Sequence, residues 1–408
     1  MMKTPHIDRH VRQAGFSLVE LMVAVVIGLI GTLVMFQVFA VSEGHKRTTA
    51  SGGDAQQNGA IGLFTLEREL RNSGHGLTDL IAQGEPIYGY SVPTSSVRPP
   101  IVLKPVLIIP GDGLNGDSGS DLIEINYTNF EGIGTEIELD ADWDPNSPTI
   151  RVTNTAVFRE GDVLAVCNSK GVGAPPCIQV QITDPPGATT LLGVRPDPDM
   201  YTRNGVAKVT EFNPVGGLKT KLPSSDIEGR VVPNSYLIKD PLTTDKSVVF
   251  NLGSGINSHI YRVQGGRLMF LENGTWQEFT DGIVSIRAQY GLDTNADGSV
   301  DIWENPRPVN AALPNASFTP ASGFVATSSV TIASSWSRVV AIRIAIVARS
   351  GVKEKTIVEN RSTIPLWTNP VGNPVPGPSY TVPSGDGKYY RYRVFESIVP
   401  FRNMIWNP

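Results

Sequence analysis

The chain has few of the residues on which most enzymes and metalloproteins depend. Its 408 residues include only two cysteines and five histidines. Beyond residue 15 the histidines are His45, His75 and His259, scattered and without metal-ligand or triad spacing around them. No phosphate-cradling glycine loop and no nucleophile elbow occurs, so the expectation is a protein that is not an enzyme. Charge is also sparse: charged residues make up 18% of the chain and the net charge is -5. With no clustered basic patch, that balance argues against a general nucleic-acid binder. The run Tyr389-Tyr390-Arg391-Tyr392-Arg393-Val394-Phe395 is the one basic and aromatic stretch, and alternation along a C-terminal strand accounts for it. Proline is absent from residue 16 to residue 71, although the chain has 31 prolines and 41 glycines in all. Those numbers imply a turn-rich body after a proline-free start; the 40% hydrophobic content supports a core, and 408 residues are enough for one large or two ordinary domains beyond any membrane segment.

The proline-free start is dominated by residues 16–41, FSLVELMVAVVIGLIGTLVMFQVFAV. Glu20 is its only formally charged residue, and Gln37 its other strongly polar one. As a helix this run spans about 39 Å, ample for a bilayer core of about 30 Å. Lys3, Arg9 and Arg12 ahead of it hold the leader on the cytoplasmic side, which places everything after Val41 outside the inner membrane. A secretory signal fits poorly, because the run is too long and no small-residue site ends it. An ionised Glu20 at this depth is costly unless it meets a positive group within a helix assembly. Helix is expected to continue, with an interruption near Gly52-Gly53, where propensity is poor. It resumes in NGAIGLFTLERELRNSG, where Ile61, Phe64, Leu66 and Leu70 form a stripe expected to pack on the following domain. Glu67 and Arg71 make an i, i+4 pair there, and Asn72-Ser73-Gly74 is the expected stop.

From about residue 80 the pattern changes to short strands broken by Gly, Pro, Asn and Asp. Strands are expected over 120–127, 162–167, 247–252, 260–263, 267–271, 283–290, 338–348 and 390–399, with Val284, Ile286, Ala288 and Tyr290 on one face. Loops are expected over 110–119, 174–176 and 369–387. No internal repeat is evident.

The segment Gly15-Phe16-Ser17-Leu18-Val19-Glu20-Leu21-Met22-Val23-Ala24 resembles the type IV prepilin motif. The resemblance implies that a prepilin peptidase cuts after Gly15 and methylates the new N-terminal Phe16. It also implies that Glu20, at the fifth mature position, registers the subunit in the pilus against a neighbour's free amino terminus. One departure is the missing helix-kinking proline, in whose place Gly28 and Gly31 would loosen or closely pack the helix. Finer likeness is to the PilW type of minor pilin, carried by FTLERELRNSG, SDLIEINY, DGIVSIRAQYGLDTNADGSVDIW and VFESIVPFRNM. Residues 128–245 carry little of it.

The implied fold is α+β, a long N-terminal transmembrane helix packed on a large antiparallel β-rich periplasmic domain. Its expected divisions are a leader over 1–15, a membrane part over 16–41, a periplasmic helix over 42–73 and a β-rich head over 74–408. The implied role is a minor pilin that primes or caps the pilus. Its implied partners are other minor pilins, the major pilin, a tip adhesin, the inner-membrane assembly platform and prepilin peptidase. The setting is the inner membrane of a Gram-negative bacterium before assembly, with the head in the periplasm, and the pilus at the cell surface afterwards. Alternatives are a minor pseudopilin of a type II secretion system and a pilus-borne adhesin or DNA-binding module.

Cys167 and Cys177 bracket the loop-like NSKGVGAPP and lack further metal ligands nearby. In an exported protein they read as a disulfide, the alternative being two free thiols. The strongest site pattern is DTNADGSVDIWE at 293–304, which fits the twelve-position calcium loop. Asp293, Asn295 and Asp297 would offer side-chain oxygens, and Ser299 its backbone carbonyl. Asp301 would act directly or through water, and Glu304 bidentately, around the turn made by Gly298. A strand precedes it and Pro306 and Pro308 follow, so the expectation is a calcium loop between β-elements; the alternative is a polar hairpin turn. Asp112, Asn115, Asp117 and Asp121 form a second acidic stretch whose offsets do not suit calcium, read as solvated loop.

Overall fold

The computed structural model describes residues 15–77, 87–98, 101, 103–111, 113, 116–130, 136–168, 177–184, 190–196, 200–203, 205–222, 236, 246–272, 274–295, 297–306, 338–367 and 377–403. The expected leader ahead of Gly15, and the positions Asp112 and Asn115, lie outside the described residues. The chain divides into two compact units, Met1–Gly53 and Asp54–Pro408.

One helix, α1, runs unbroken over Leu18–Asn72, so the interruption expected at Gly52-Gly53 is not there. Each glycine costs a helix about 1 kcal/mol, but unlike proline it removes no hydrogen bond, and the helix on both sides carries through. The boundary between the two units nonetheless falls at Gly53. Within the first unit, the stretch Leu18–Lys46 has a mean hydropathy of 2.5 and is long and apolar enough to cross a membrane. Its large apolar side chains are exposed all round, from Phe16 to Val41.

In the second unit three sheets carry the head. Numbering only their strands, the first sheet uses β1 (Ile87–Tyr88), β4 (Ile137–Glu138), β5 (Val163–Cys167), β6 (Cys177–Gln181) and β7 (Val248–Asn251), in the order β1-β6-β5-β7-β4. The second uses β2 (Val106–Ile109), β3 (Leu122–Thr128), β8 (Ile256–Gln264), β9 (Arg267–Glu272) and β10 (Thr275–Asp281), in the order β10-β9-β8-β3-β2. The third uses β11 (Ile283–Leu292), β12 (Ile302–Glu304), β13 (Val339–Arg349) and β14 (Tyr392–Pro400), in the order β12-β11-β13-β14. Every pairing in them is antiparallel except β1 with β6. All eight expected strands are therefore present, with shifted ends.

Alternation explains how the layers stack. In β5, Val163 and Ala165 face the main core while Leu164 and Val166 face a second core with Trp143 and Tyr236. In β13, Ile342, Ile344 and Ile346 join the main core, and Ala345 and Val347 join a small third one with Leu366 and Trp367. A strand buried on both faces reads as a continuous apolar run, as VVAIRIAIVAR does. The head's part of α1 enters the main core through Ala55, Leu66 and Leu70.

The expected helical stripe is corrected here. Ile61 is 43% and Phe64 is 61% exposed, whereas Leu66 and Leu70 are fully buried. Leu66 lies only two residues beyond Phe64, about 200° round the helix, so the four never shared one face. The face that packs instead contains Gly59, where a Cβ would sit 2.2 Å from the Phe395 ring, and Gly62, beside Ile346. The stop after Asn72 holds: Gly74 takes φ 72° and the Ser73 hydroxyl donates to the Leu70 carbonyl at 2.6 Å. So does the Arg71–Glu67 pair, at 3.1 Å. Val284 also departs from its expected face, because a bulge between Ile283 and Ser285 turns it toward the third core and leaves Ile283 in the main one.

Candidate functional site

Two places carry the residues singled out by sequence. At the helix entry, Gly15, Phe16 and Ser17 precede the first turn of α1, and Phe16 is 84% exposed. The Ser17 hydroxyl accepts the Glu20 backbone N–H at 3.3 Å, and the Glu20 carboxylate accepts the Ser17 N–H at 3.3 Å. This is a reciprocal capping box, Ser-x-x-Glu, which satisfies two backbone donors that a helix start leaves open. Reading Glu20 only as a charge in need of a partner missed it, although the spacing of Ser17 and Glu20 announces it. The carboxylate is thus held in place by its own helix, at the end where the helix dipole favours an anion.

The acidic loop is a hairpin. Leu292 pairs with Ile302 and Tyr290 with Glu304, so residues 293–301 form the connection between β11 and β12. Alternate side chains fold back on the backbone. Asp293 accepts from the N–H groups of Asn295 at 3.1 Å, Asp297 at 3.3 Å and Gly298 at 2.6 Å. Asn295 accepts from Asp297 at 3.0 Å, and Asp297 from Ser299 at 2.8 Å. Gly298 supplies the left-handed turn at φ 83°. Asp301 accepts from the Thr294 N–H and hydroxyl, at 2.7 and 2.6 Å, and these bonds hold its carboxyl below the usual range.

Five of the six expected oxygen donors, Asp293, Asn295, Asp297, Ser299 and Asp301, share this loop. Glu304 does not: the register seats it in β12 opposite Tyr290, three residues along from Asp293. It is 1% exposed, and among the described residues neither carboxylate oxygen has a hydrogen-bond partner. Among the described residues no group of three or more His, Cys, Asp or Glu side chains is placed to hold a metal ion. The loop has the hard-oxygen chemistry that calcium takes, and Glu304, the expected twelfth-position ligand, stands in the adjoining strand β12.

The remaining candidates are structural. Cys167 and Cys177 form a disulfide across the facing ends of β5 and β6, both residues buried. Closing so short a loop contributes about 2–3 kcal/mol. Asp121, read as solvated loop, is 1% exposed and paired with Arg287 at 3.0 Å, and it accepts from the Ala288 N–H at 2.9 Å. Burial pushes its carboxyl up to about 6, against the opposing pull of Arg287 and the N–H. Asp117, from the same stretch, accepts from the Gly265 and Gly266 N–H groups and pins the β8–β9 turn. His259, for which spacing suggested no metal or triad role, bonds the buried Glu69 carboxylate of α1 at 2.7 Å, with Tyr127 beside it. A separation of 190 residues hides that contact from sequence spacing. In the basic-aromatic run, Arg391 pairs with Glu354 at 3.0 Å and Tyr390 lies under Arg349, both residues of the run standing just ahead of β14, which begins at Tyr392.

Residues 11–36 match the family model of the prokaryotic N-terminal methylation motif. Residues 272–403, which contain the acidic hairpin and all four strands of the third sheet, match that of the type IV pilus-assembly protein W. No curated protein and no solved structure matches the chain. A processing motif opens the apolar helix and a W-type segment forms the sheet against which that helix's far end packs, so in these two segments the chain is similar to PilW-type, pilin-like proteins.

Proposed function

We propose that this minor pilin of type IV pilus assembly acts at the start or tip of the fibre, priming assembly or joining a tip complex. The pilin assignment points to a structural role. The observation that carries the proposal is the helix entry: an exposed Phe16, a capped first turn and Glu20 fixed within it. Prepilin peptidase cuts after Gly15 and methylates Phe16. The freed amino group of one subunit then meets Glu20 of another as the apolar helices leave the bilayer and bury one another. The anchored form has its head in the periplasm, and the assembled form reaches the cell surface. Other minor pilins, the major pilin, a tip adhesin and the inner-membrane platform are its partners. The test is deletion of the gene, with surface pili counted by electron microscopy. Loss of pili, restored by the wild-type chain but not by Glu20→Ala, is expected. Normal pilus numbers with lost adhesion would replace priming by an adhesin role.

The hairpin loop is proposed as a calcium site held by Asp293, Asn295, Asp297, Asp301 and the Ser299 carbonyl. Its support is the alternation of oxygen donors around the Gly298 turn, with Asp293 itself 5% exposed. Calorimetry on the full chain in detergent is expected to show calcium uptake that Asp293→Ala removes. Given the register of β12, Glu304→Gln is expected to leave uptake intact, and a loss there would restore Glu304 to the ligand set. Absence of uptake by the wild-type chain makes the loop a polar turn.

A further inference from the structure

The second sheet has an apolar face and a polar face, and the polar one is not left to solvent. Strand alternation puts Ile108, Ile123 and Ile125 into the main core. Register puts Leu107 opposite Glu124, and Asn126 opposite Ser258, on the other face. Over that face lie Lys104 and the Arg98–Phe212 pair, in which the guanidinium sits 4.5 Å above the ring centre. Between them is a cavity of about 550 Å³. That volume lies in the range of small-molecule sites, about 300–1,000 Å³, where a mostly apolar wall carries a few convergent polar groups.

The polar groups are of both signs. Lys104 is 4% exposed, and Glu124 is the acid nearest to it in effect, as Glu211 is for Arg98. Glu124 Oε1 accepts from Asn126 at 3.2 Å and from Ser258 at 3.2 Å, which fixes the carboxylate at the floor. Burial lowers the Lys104 amine to about 8 and lowers the Arg98 guanidinium as well, and in each case the nearby acid only partly opposes it. A lone anion would gain from the two cations and be repelled by the two acids. A molecule carrying both charges on an apolar stem complements both signs of the lining.

We infer that this cavity binds a small zwitterion, an amino acid or short peptide with apolar side chains, its carboxylate toward Lys104 and Arg98 and its ammonium toward Glu124 and Glu211. The site is independent of the pilus-assembly reading, and neither the methylation motif nor the W-type segment covers it.

The test is calorimetry on the full chain in detergent with three probes: leucyl-leucine, N-acetyl-leucyl-leucine and leucyl-leucinamide. Saturable one-to-one binding of leucyl-leucine is expected, with each blocked form at least tenfold weaker. In Lys104→Met the penalty for amidating the carboxylate should shrink severalfold, and in Glu124→Gln the penalty for acetylating the amine should shrink likewise, the pattern of a coupled pair. The second variant stands in if the first fails to give the wild-type near-ultraviolet dichroism. No saturable binding of any probe overturns the site, and equal binding of the acetylated form overturns the zwitterion in favour of a simple anion.

Discussion

The two units of this protein handle their side chains in opposite ways. In the first, the apolar residues are outside: Leu29, Leu33 and Phe36 are each more than half exposed, and the one acid of the apolar run is satisfied within its own first turn. In the second, the apolar residues are inside, and two buried acids meet partners from distant elements, Glu69 with His259 and Asp121 with Arg287. The same helix, α1, obeys both rules, one on each side of Gly53. Burial is therefore set by what surrounds each stretch and not by helix formation. The first stretch needs a bilayer or other helices to cover it. The second carries its own cover.

The largest test of that contrast is truncation of leucines on either side. Leu66→Ala or Leu70→Ala removes a fully buried side chain and is expected to cost the head about 2–5 kcal/mol. Leu29→Ala or Leu33→Ala is expected to leave head unfolding unchanged. Thermal unfolding of the full chain in detergent, followed by near-ultraviolet dichroism of the head's tryptophans, measures both. A head destabilised equally by both pairs would break the distinction.

A buried acid in the head supplies the next test. The folded Asp121 titrates at about 6, above its ordinary 3.8, so the native state binds its proton more tightly than the unfolded chain does. Its contribution to folding is fully present below about pH 4 and is lost as the pH rises through about 6. Wild type should lose stability relative to Asp121→Asn over that interval, by at most about 3 kcal/mol at 1.4 kcal/mol per unit. Denaturant unfolding of both chains at pH 4 and pH 7 reads the difference. If wild type instead gains on the variant as pH rises, the Arg287 pairing outweighs burial.

Much of the contrast was legible from sequence, and what was not has identifiable causes. The apolar run, the eight strands and the helix stop show in short-range periodicity and in residues such as Gly74 whose conformation is local. The disulfide was legible because only two cysteines exist to form one. The order of strands, the two-sided burial of β5 and β13, and the buried roles of Asp121 and His259 depend on contacts far apart in sequence. Asp121 and Arg287, for example, lie 166 residues apart. A bulge moves Val284 to the other face without any sign in the alternation. At the acidic loop the donor spacing was readable, but the hairpin register that seats Glu304 in β12 opposite Tyr290 was not.

Glycines give a test of intermediate size. A Cβ at Gly59 would lie 2.2 Å from the Phe395 ring, so Gly59→Ala is expected to cost the head about 1–3 kcal/mol through overpacking. Phe395→Leu in the same chain should recover part of that loss. At Gly28 and Gly31 an added methyl group would meet nothing within 4 Å. Gly31→Ala should therefore leave the head unchanged while improving helix propensity by about 1 kcal/mol.

The smallest expected effect on stability separates the two properties of Glu20. A capping box accepts Glu or Gln at its third helical position, so Glu20→Gln keeps the bond to the Ser17 N–H and removes only the charge. Glu20→Ala removes both and is expected to loosen the helix start by roughly 0.5–1 kcal/mol. Hydrogen exchange at the first-turn amides in detergent should therefore speed up about two- to fivefold in Glu20→Ala and stay unchanged in Glu20→Gln. Pilus number in a complemented deletion strain should fall in both, because the proposed partner of Glu20 is a positive amino group and an amide cannot pair with it. Full piliation with Glu20→Gln would shift the role of Glu20 from a charge read by another subunit to a cap that serves its own helix.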